Sequence, residues 1–329
     1  MRISYEQNQV EIGNIVLGAN FKKELLSTRD VESMLNIFFE KGGKCIDIAR
    51  SYNNGLSEVF VGRWLMNSGL RNKIIVSTKG GHPQKENCAR LSRNAIELDL
   101  DASLKALKTD YVDLYWLHRD DENLSTDEIV DYLNSFVKAG KIKFFGASNW
   151  SFHRLLKANT YAKRTGQMGF SCSQIQWSVG TPNPCYYDDF GMKYMNVQEY
   201  NLYKVSKFPL FVYSSQAKGF FYYINNKRKF GYQQEKFDNE INREIYKELY
   251  SLAKKYNVPL SYPVLGFILS SPLNVVPIVG CRTEYDLIEC FSAIKFQLQK
   301  KEYQNLYDIQ RKYVIGNTDF AKTKYDSKE

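Results

Sequence analysis

The chain has 329 residues, of which 43% are hydrophobic and 15% aromatic, and a formal net charge of +9 from 45 Lys and Arg against 36 Asp and Glu. This composition excludes a disordered or fibrous chain, and the length suits one large α/β barrel domain over residues 1–329, because no Pro-, Gly- or Ser-rich linker divides it. The lysines are dispersed along the chain, so the positive excess reads as a solvated surface that also attracts anionic cofactors or substrates, and neither nucleic acid nor a membrane is expected as a partner.

Residues 1–12 read as a small hairpin across one end of the fold. Short β-rich runs then recur at Ile15–Ala19, Cys45–Ala49, Ile74–Lys79, Val112–His118, Phe144–Ser148, Cys172–Trp177, Leu210–Ser214 and Val275–Val279. Helical patterns separate them. Arg29–Lys41 places Val31, Met34, Leu35 and Phe38 on one face and stops at Gly42-Gly43. Ser92–Leu107 starts at a Ser92 N-cap and carries Ile96, Leu100, Leu104 and Leu107 in a stripe, and Asp127–Ala139 ends at Gly140. Strand and helix in alternation predict a (β/α)8 TIM barrel, whose chemistry gathers at the C-terminal ends of the strands. Two connections, Ser178 to about Val197 and Gln216 to about Asn239, are longer than ordinary βα loops and rich in Tyr, Phe and Asn, which predicts loops that shape a pocket on the catalytic face. A flexible tail is expected from about residue 317 to 329. The N-terminal segment lacks an apolar signal core. The most apolar stretch, Pro263–Gly280, is broken by Ser270, Ser271, Pro272 and Pro277, so no membrane span is expected. Cys45, Cys88, Cys172, Cys185, Cys281 and Cys290 show neither CxxC nor Cys/His spacing, which predicts reduced thiols, a cytoplasmic location and no metal site.

Four side chains stand near the ends of three successive strand runs. Asp47 and Tyr52 lie at and just beyond the end of Cys45–Ala49, Lys79 closes Ile74–Lys79, and His118, one of 3 histidines, closes Val112–His118. Singly, each has an ordinary structural reading: a helix cap, a strand-end tyrosine, a solvated lysine, a core histidine. Together, a carboxylate, a phenol, an ammonium and an imidazole are the groups needed to reduce a carbonyl. A phenol with a free pKa of about 10 is a poor acid in neutral water, and an adjacent ammonium stabilises its phenolate. The carboxylate fixes the ammonium, and the imidazole binds the carbonyl oxygen.

The segments Asp47-Ile-Ala-Arg-Ser-Tyr52-Asn-Asn-Gly-Leu-Ser57-Glu58, Ser77-Thr-Lys79-Gly and Asp113-Leu-Tyr-Trp-Leu-His118 resemble the successive signatures of the aldo-keto reductase family, in the right order from about residue 13 to 295. The resemblance implies reduction of an aldehyde, ketone or sugar by hydride from NADPH, with Tyr52 as general acid. No GxGxxG follows the first strand, which argues against a Rossmann domain and not against a nicotinamide cofactor. Ser148, Asn149 and Gln174 match the family's carboxamide contacts, and Tyr213 matches the aromatic on which the nicotinamide stacks. Ser214, Gln216, Lys218 and Gly219 continue that segment. Pro277-Ile-Val-Gly280-Cys-Arg282-Thr283 resembles the phosphate and adenine clasp, in which Arg282, with Thr283 sharing the phosphate, would grip a 2′-phosphate through forked hydrogen bonds. Here the chain departs from the usual pattern, with Asp286 where glutamine is common and Cys290 where a small polar residue is common. Phe21, Trp150, Trp177, Phe220 and Tyr223 are the candidates for the substrate pocket. The same fold also serves potassium-channel β subunits, so an NADPH-binding regulatory subunit with little turnover is the alternative. A barrel lyase with Lys79 as Schiff-base nucleophile is a further one. Oligomeric state is not readable from the sequence.

Overall fold

A computed structural model describes residues 1–21, 27–83, 89–183 and 191–315. The expectations for Cys88, Cys185, the middle of the connection after Ser178 and the tail from about residue 317 lie outside the described residues. The N-terminal hairpin is present, with β1 (Arg2–Tyr5) antiparallel to β2 (Asn8–Glu11). It closes the end of the barrel away from the candidate site. Ile3 and Ile12 are buried in the core, and Glu11 pairs at 2.6 Å with Lys44, the residue just before the second barrel strand.

The barrel strands are β3 (Val16–Gly18), β4 (Cys45–Asp47), β5 (Ile75–Gly80), β6 (Val112–Leu117), β7 (Ile142–Ser148), β8 (Cys172–Gln176), β9 (Leu210–Tyr213) and β10 (Val275–Val279). They pair in parallel, in sequence order, and β10 closes on β3, giving the TIM barrel expected from the alternation. Each predicted run corresponds to one barrel strand. Strands covered on both faces read as near-continuous apolar runs, and β5 and β6 are buried along their whole length.

The helices are α1 (Thr28–Glu40), α2 (Leu56–Ser68), α3 (Arg93–Leu107), α4 (Thr126–Lys138), α5 (Phe152–Thr165), α6 (Val197–Ser206), α7 (Phe220–Asn225), α8 (Tyr232–Glu235), α9 (Glu240–Tyr256), α10 (Ser261–Leu269), α11 (Glu284–Ala293) and α12 (Lys300–Ile315). Ser92 caps α3 as expected, its hydroxyl accepting from the Ala95 amide at 3.4 Å, and Ser27 and Asp30 form a capping box at α1. The connection from Gln216 to Asn239 contains two short helices, α7 and α8. No helix among the described residues is long and apolar enough to cross a membrane.

Alternation along the strands sorts side chains between the barrel interior and the helix layer. On β5, Ser77 and Lys79 point inward while Thr78 and Gly80 face the helices. The floor beneath the site is Trp116, whose ring packs edge-on against Phe211 at 5.0 Å and whose indole donates to Ser77 Oγ at 2.7 Å. Gly146 leaves room for that ring, because a Cβ there would lie 2.3 Å from it.

Close backbone approach also fixes α2 against α3. A Cβ at Gly62 would sit 2.3 Å from the Ala106 carbonyl oxygen and 2.8 Å from the Leu107 backbone. Helix propensity alone favours alanine over glycine by about 1 kcal/mol, but the obstacle is backbone and cannot rotate away, so an overpacking cost of about 1–3 kcal/mol should win. Gly62→Ala is therefore expected to lower the thermal unfolding midpoint, followed by circular dichroism, by about 2–4 °C. A raised midpoint would show that α2 and α3 part at little cost.

Candidate active site

Asp47, the last residue of β4, points into the barrel and is 2% exposed. Its Oδ2 accepts from Lys79 Nζ at 2.5 Å, and its Oδ1 accepts from Ser77 Oγ at 2.6 Å and Gln174 Nε2 at 3.4 Å. Lys79 is 1% exposed and also donates to the Ile48 carbonyl at 2.8 Å. Its ammonium lies 5.0 Å from the centre of the Tyr52 ring. Burial, the strongest influence on Lys79, pulls an ammonium pKa down. The negative charge of Asp47, then Tyr52, and hydrogen bonds to both outweigh it and hold the pKa above its ordinary value. The lysine is therefore a fixed cation.

Tyr52 begins a short 3-10 turn, Tyr52–Gly55, between β4 and α2, and lines an open cleft of 540 Å³ at the C-terminal mouth of the barrel. His118 follows β6 and lines the same cleft. Its ring stands edge-on to Tyr52 at 5.8 Å and to His82 at 4.7 Å, and its Nδ1 lies 3.5 Å from Ser51 Oγ. Burial, then Arg119, Lys79 and His82, push its pKa well below the ordinary 6.5, so the imidazole is neutral. A neutral ring offers one N–H donor and one lone pair. The structure thus brings Asp47, Tyr52, Lys79 and His118 together.

Ser148, Asn149, Gln174, Tyr213 and Lys218 line the adjoining wall. Asn149 is held in the left-handed region (φ 63) and its amide is anchored: Nδ2 donates to the His118 carbonyl at 3.0 Å, and Oδ1 accepts from Tyr213 Oη at 2.7 Å and the Lys193 amide at 3.1 Å. Beyond the end of β9, Ser214 Oγ is buried without a hydrogen-bond partner among the described residues. Gln216 Nε2 donates to Cys290 Sγ at 3.0 Å, and Lys218 (φ 54) and Gly219 (φ 81) turn the chain into α7. Space opens beside Gly280, where a Cβ would meet nothing within 4 Å. Arg282 is half-exposed; its Nη1 donates to Tyr223 Oη at 3.2 Å, and Asp286 Oδ2 accepts from its backbone amide at 3.1 Å.

The aromatic candidates are placed otherwise. Phe21, Trp150, Trp177 and Phe220 are 2%, 0%, 4% and 0% exposed and pack into the core, Trp150 against Phe170 and Trp177 against Tyr200 and Phe267. Tyr223 sits with Arg282 rather than at the tetrad. A side chain next to a strand end can face either the cleft or the wall, and these are large enough to be wanted in the wall. The cleft is instead lined by Asn20, Ser51, Asn53, His82, Arg119 and Met192, which sequence reading missed. Most of them lie within a few residues of the end of β3, β4, β5 or β6, and that position was the available signal.

A barrel with this polar cluster at its C-terminal mouth defines a class of oxidoreductase. A model of the aldo/keto reductase family matches residues 14–311. Over 289 residues the chain is 28% identical to an aryl-alcohol dehydrogenase of Pestalotiopsis microspora, covering 83% of this chain and 70% of that protein. Over 286 residues it is 28% identical to a norsolorinic acid reductase of Aspergillus flavus, covering 84% and 71%. An aryl-alcohol dehydrogenase [NADP(+)] of Phanerodontia chrysosporium matches at 28% over 184 residues, 52% and 48% of the two chains. The chain belongs to the aldo/keto reductase family, and it is an NAD(P)H-dependent oxidoreductase of carbonyl compounds.

The neutral state of His118 has a measurable consequence. Its folded pKa lies below its unfolded value of 6.5, so the unfolded chain binds the extra proton first, and stability present above pH 6.5 is lost as pH falls toward the folded pKa. His118→Gln removes that dependence. Between about pH 7.5 and 5.5 the wild type is expected to lose about 1 kcal/mol more unfolding free energy than the variant in urea titrations. Equal losses would mean that His118 protonates in the native state.

Proposed function

We propose that the protein reduces a small-molecule aldehyde, ketone or sugar-type carbonyl with NADPH, Tyr52 serving as proton donor. The observation that carries this reading is the buried Lys79 ammonium, fixed by Asp47 and Ile48 and facing Tyr52 on the wall of the cleft. A reduced nicotinamide, when bound, would supply the hydride. Tyr52 gives its proton to the carbonyl oxygen, and Lys79 stabilises the phenolate left behind. His118 donates a hydrogen bond to that oxygen and aligns it. Asp47 holds the charge on Lys79.

Fit of the cofactor rests on the surroundings. Ser214 presents a buried hydroxyl that lacks a partner among the described residues, Gly280 admits close approach of a phosphate, and Arg282 offers a planar fork. Ser148, Asn149, Gln174 and Tyr213 face the cleft where a nicotinamide would lie, and Asn149 also anchors Tyr213. The NADP(+) in one relative's name agrees with a 2′-phosphate contact. For the substrate, the relatives' names point to aryl alcohols and norsolorinic acid, and the polar lining of the cleft points to oxygen-rich carbonyls; a panel of aryl and sugar aldehydes and ketones, followed by NADPH absorbance, tests the activity and its range.

Tyr52→Phe should cost about 10²–10⁴-fold in turnover while NADPH binds with unchanged affinity, because the phenol does not anchor the cofactor. Lys79→Met should impair turnover comparably and displace the pH optimum. Normal turnover in Tyr52→Phe would remove Tyr52 from the mechanism.

Coenzyme choice is tested at Arg282. A charge-assisted forked contact is worth about 1.5–3 kcal/mol, so Arg282→Ala should weaken NADPH by about 10- to 100-fold and NADH much less, read by fluorescence quenching titration. Equal weakening of both, or a wild type that prefers NADH, would withdraw the NADPH assignment.

A further inference from the structure

The turn that carries Tyr52 has a strained backbone. Asn53 (φ 49), Asn54 (φ 53) and Gly55 (φ 85) are consecutively left-handed, a conformation that costs a non-glycine residue about 1–3 kcal/mol and persists only where the surroundings impose it. Glu58, in the first turn of α2, supplies those surroundings. It is 0% exposed; Oε2 takes the Arg50 guanidinium at 2.5 Å, and Oε1 takes Thr78 Oγ1 at 2.7 Å. The guanidinium passes directly over the turn, since a Cβ on Gly55 would lie 2.0 Å from Arg50 Nη2. Thr78 and Lys79 are neighbours on β5 with opposite directions, Lys79 inward to Asp47 and Tyr52, Thr78 outward to Glu58. One strand is therefore tied on both faces to the segment bearing Tyr52.

We propose that Glu58 is a positioning residue for proton transfer: by gripping Arg50 across the turn and Thr78 on β5, it sets the separation of the Tyr52 hydroxyl from the Lys79 ammonium. It touches neither substrate nor cofactor. The proposal rests on Tyr52 being the proton donor. Its effect belongs in turnover and its pH dependence, not in cofactor binding.

Glu58→Gln keeps the volume and the acceptor for Thr78 but removes the charge facing Arg50. Thr78→Val breaks the other arm without charge change and keeps the assay available if the first variant folds poorly. Since a misplacement of about 1 Å can cost about 10²-fold in rate, kcat per NADPH-binding site is expected to fall about 10- to 100-fold in Glu58→Gln and less in Thr78→Val. NADPH affinity should stay within about twofold, the pH–kcat profile should shift, and the solvent isotope effect on kcat should rise as proton transfer becomes limiting. Arg50→Gln added to Glu58→Gln should cost little further, because both break the same arm of the clamp. Unchanged kcat per site and pH profile in both variants overturn the clamp, as does a loss fully explained by fewer NADPH-binding molecules. If Tyr52→Phe loses turnover and the Glu58 and Thr78 variants do not, the clamp alone fails. A wild type without turnover, or an active Tyr52→Phe, refutes the underlying reading and the clamp with it.

Discussion

The ion pair between Asp47 and Lys79 is the constraint on which the site depends. Taking two charges out of water costs several kcal/mol per ion, repaid only where geometry is good and the remaining donors and acceptors are filled. Both conditions hold. The carboxylate is met by Lys79, Ser77 and Gln174, and the ammonium by Asp47, the Ile48 carbonyl and Tyr52. The register of β4 on β5, with Asp47 opposite Ser77, puts the first two of those partners in place, so the energetics of the pair are written into the barrel pairing.

Burial acts the same way on two basic side chains of the site, yet their neighbours leave them in opposite charge states. Desolvation lowers the pKa of both Lys79 and His118. Lys79 has a carboxylate in direct contact and stays a cation. His118 has Arg119, Lys79 and His82 around it, all of which disfavour a further positive charge, and stays neutral. One fixed cation and one neutral donor beside a phenol form an arrangement suited to moving a single proton, because no second group competes to release one.

Strand positions were legible because short β-rich runs recur between helical patterns, several of them largely apolar, as buried parallel strands are. That Asp47, Tyr52, Lys79 and His118 would lie together was legible because each stands at or just beyond the end of a strand and all the strand ends meet at one mouth, although singly each has an ordinary structural reading. Less was visible where side-chain direction decides. Trp150 and Trp177 follow strands as cleft residues do, yet their bulk is used to fill the wall. Asn53-Asn54-Gly55 is a composition that favours a left-handed turn, but the Arg50–Glu58 ion pair beside it spans eight positions that no helical or strand period marks. The helices inside Gln216–Asn239 were hidden because α7 and α8 are short and the segment is too aromatic for an amphipathic stripe.

Around Arg282 the charges are arranged with less redundancy. Asp286 accepts from the Arg282 amide and approaches its Nε only to 3.9 Å, while the guanidinium lies 5.9 and 5.8 Å from the rings of Tyr222 and Tyr223 and bonds the latter's hydroxyl. An exposed ion pair at that range is worth little, so Asp286 acts mainly as a brace for the start of α11. The aromatic contacts, by contrast, orient a planar fork without consuming its charge. Discrimination between coenzymes at this position then depends on whether a 2′-phosphate gains more from the oriented guanidinium than it loses to the carboxylate behind it. A forked contact formed at short range would outweigh a repulsion screened by solvent, so the acidic neighbour does not by itself bar a phosphate from Arg282.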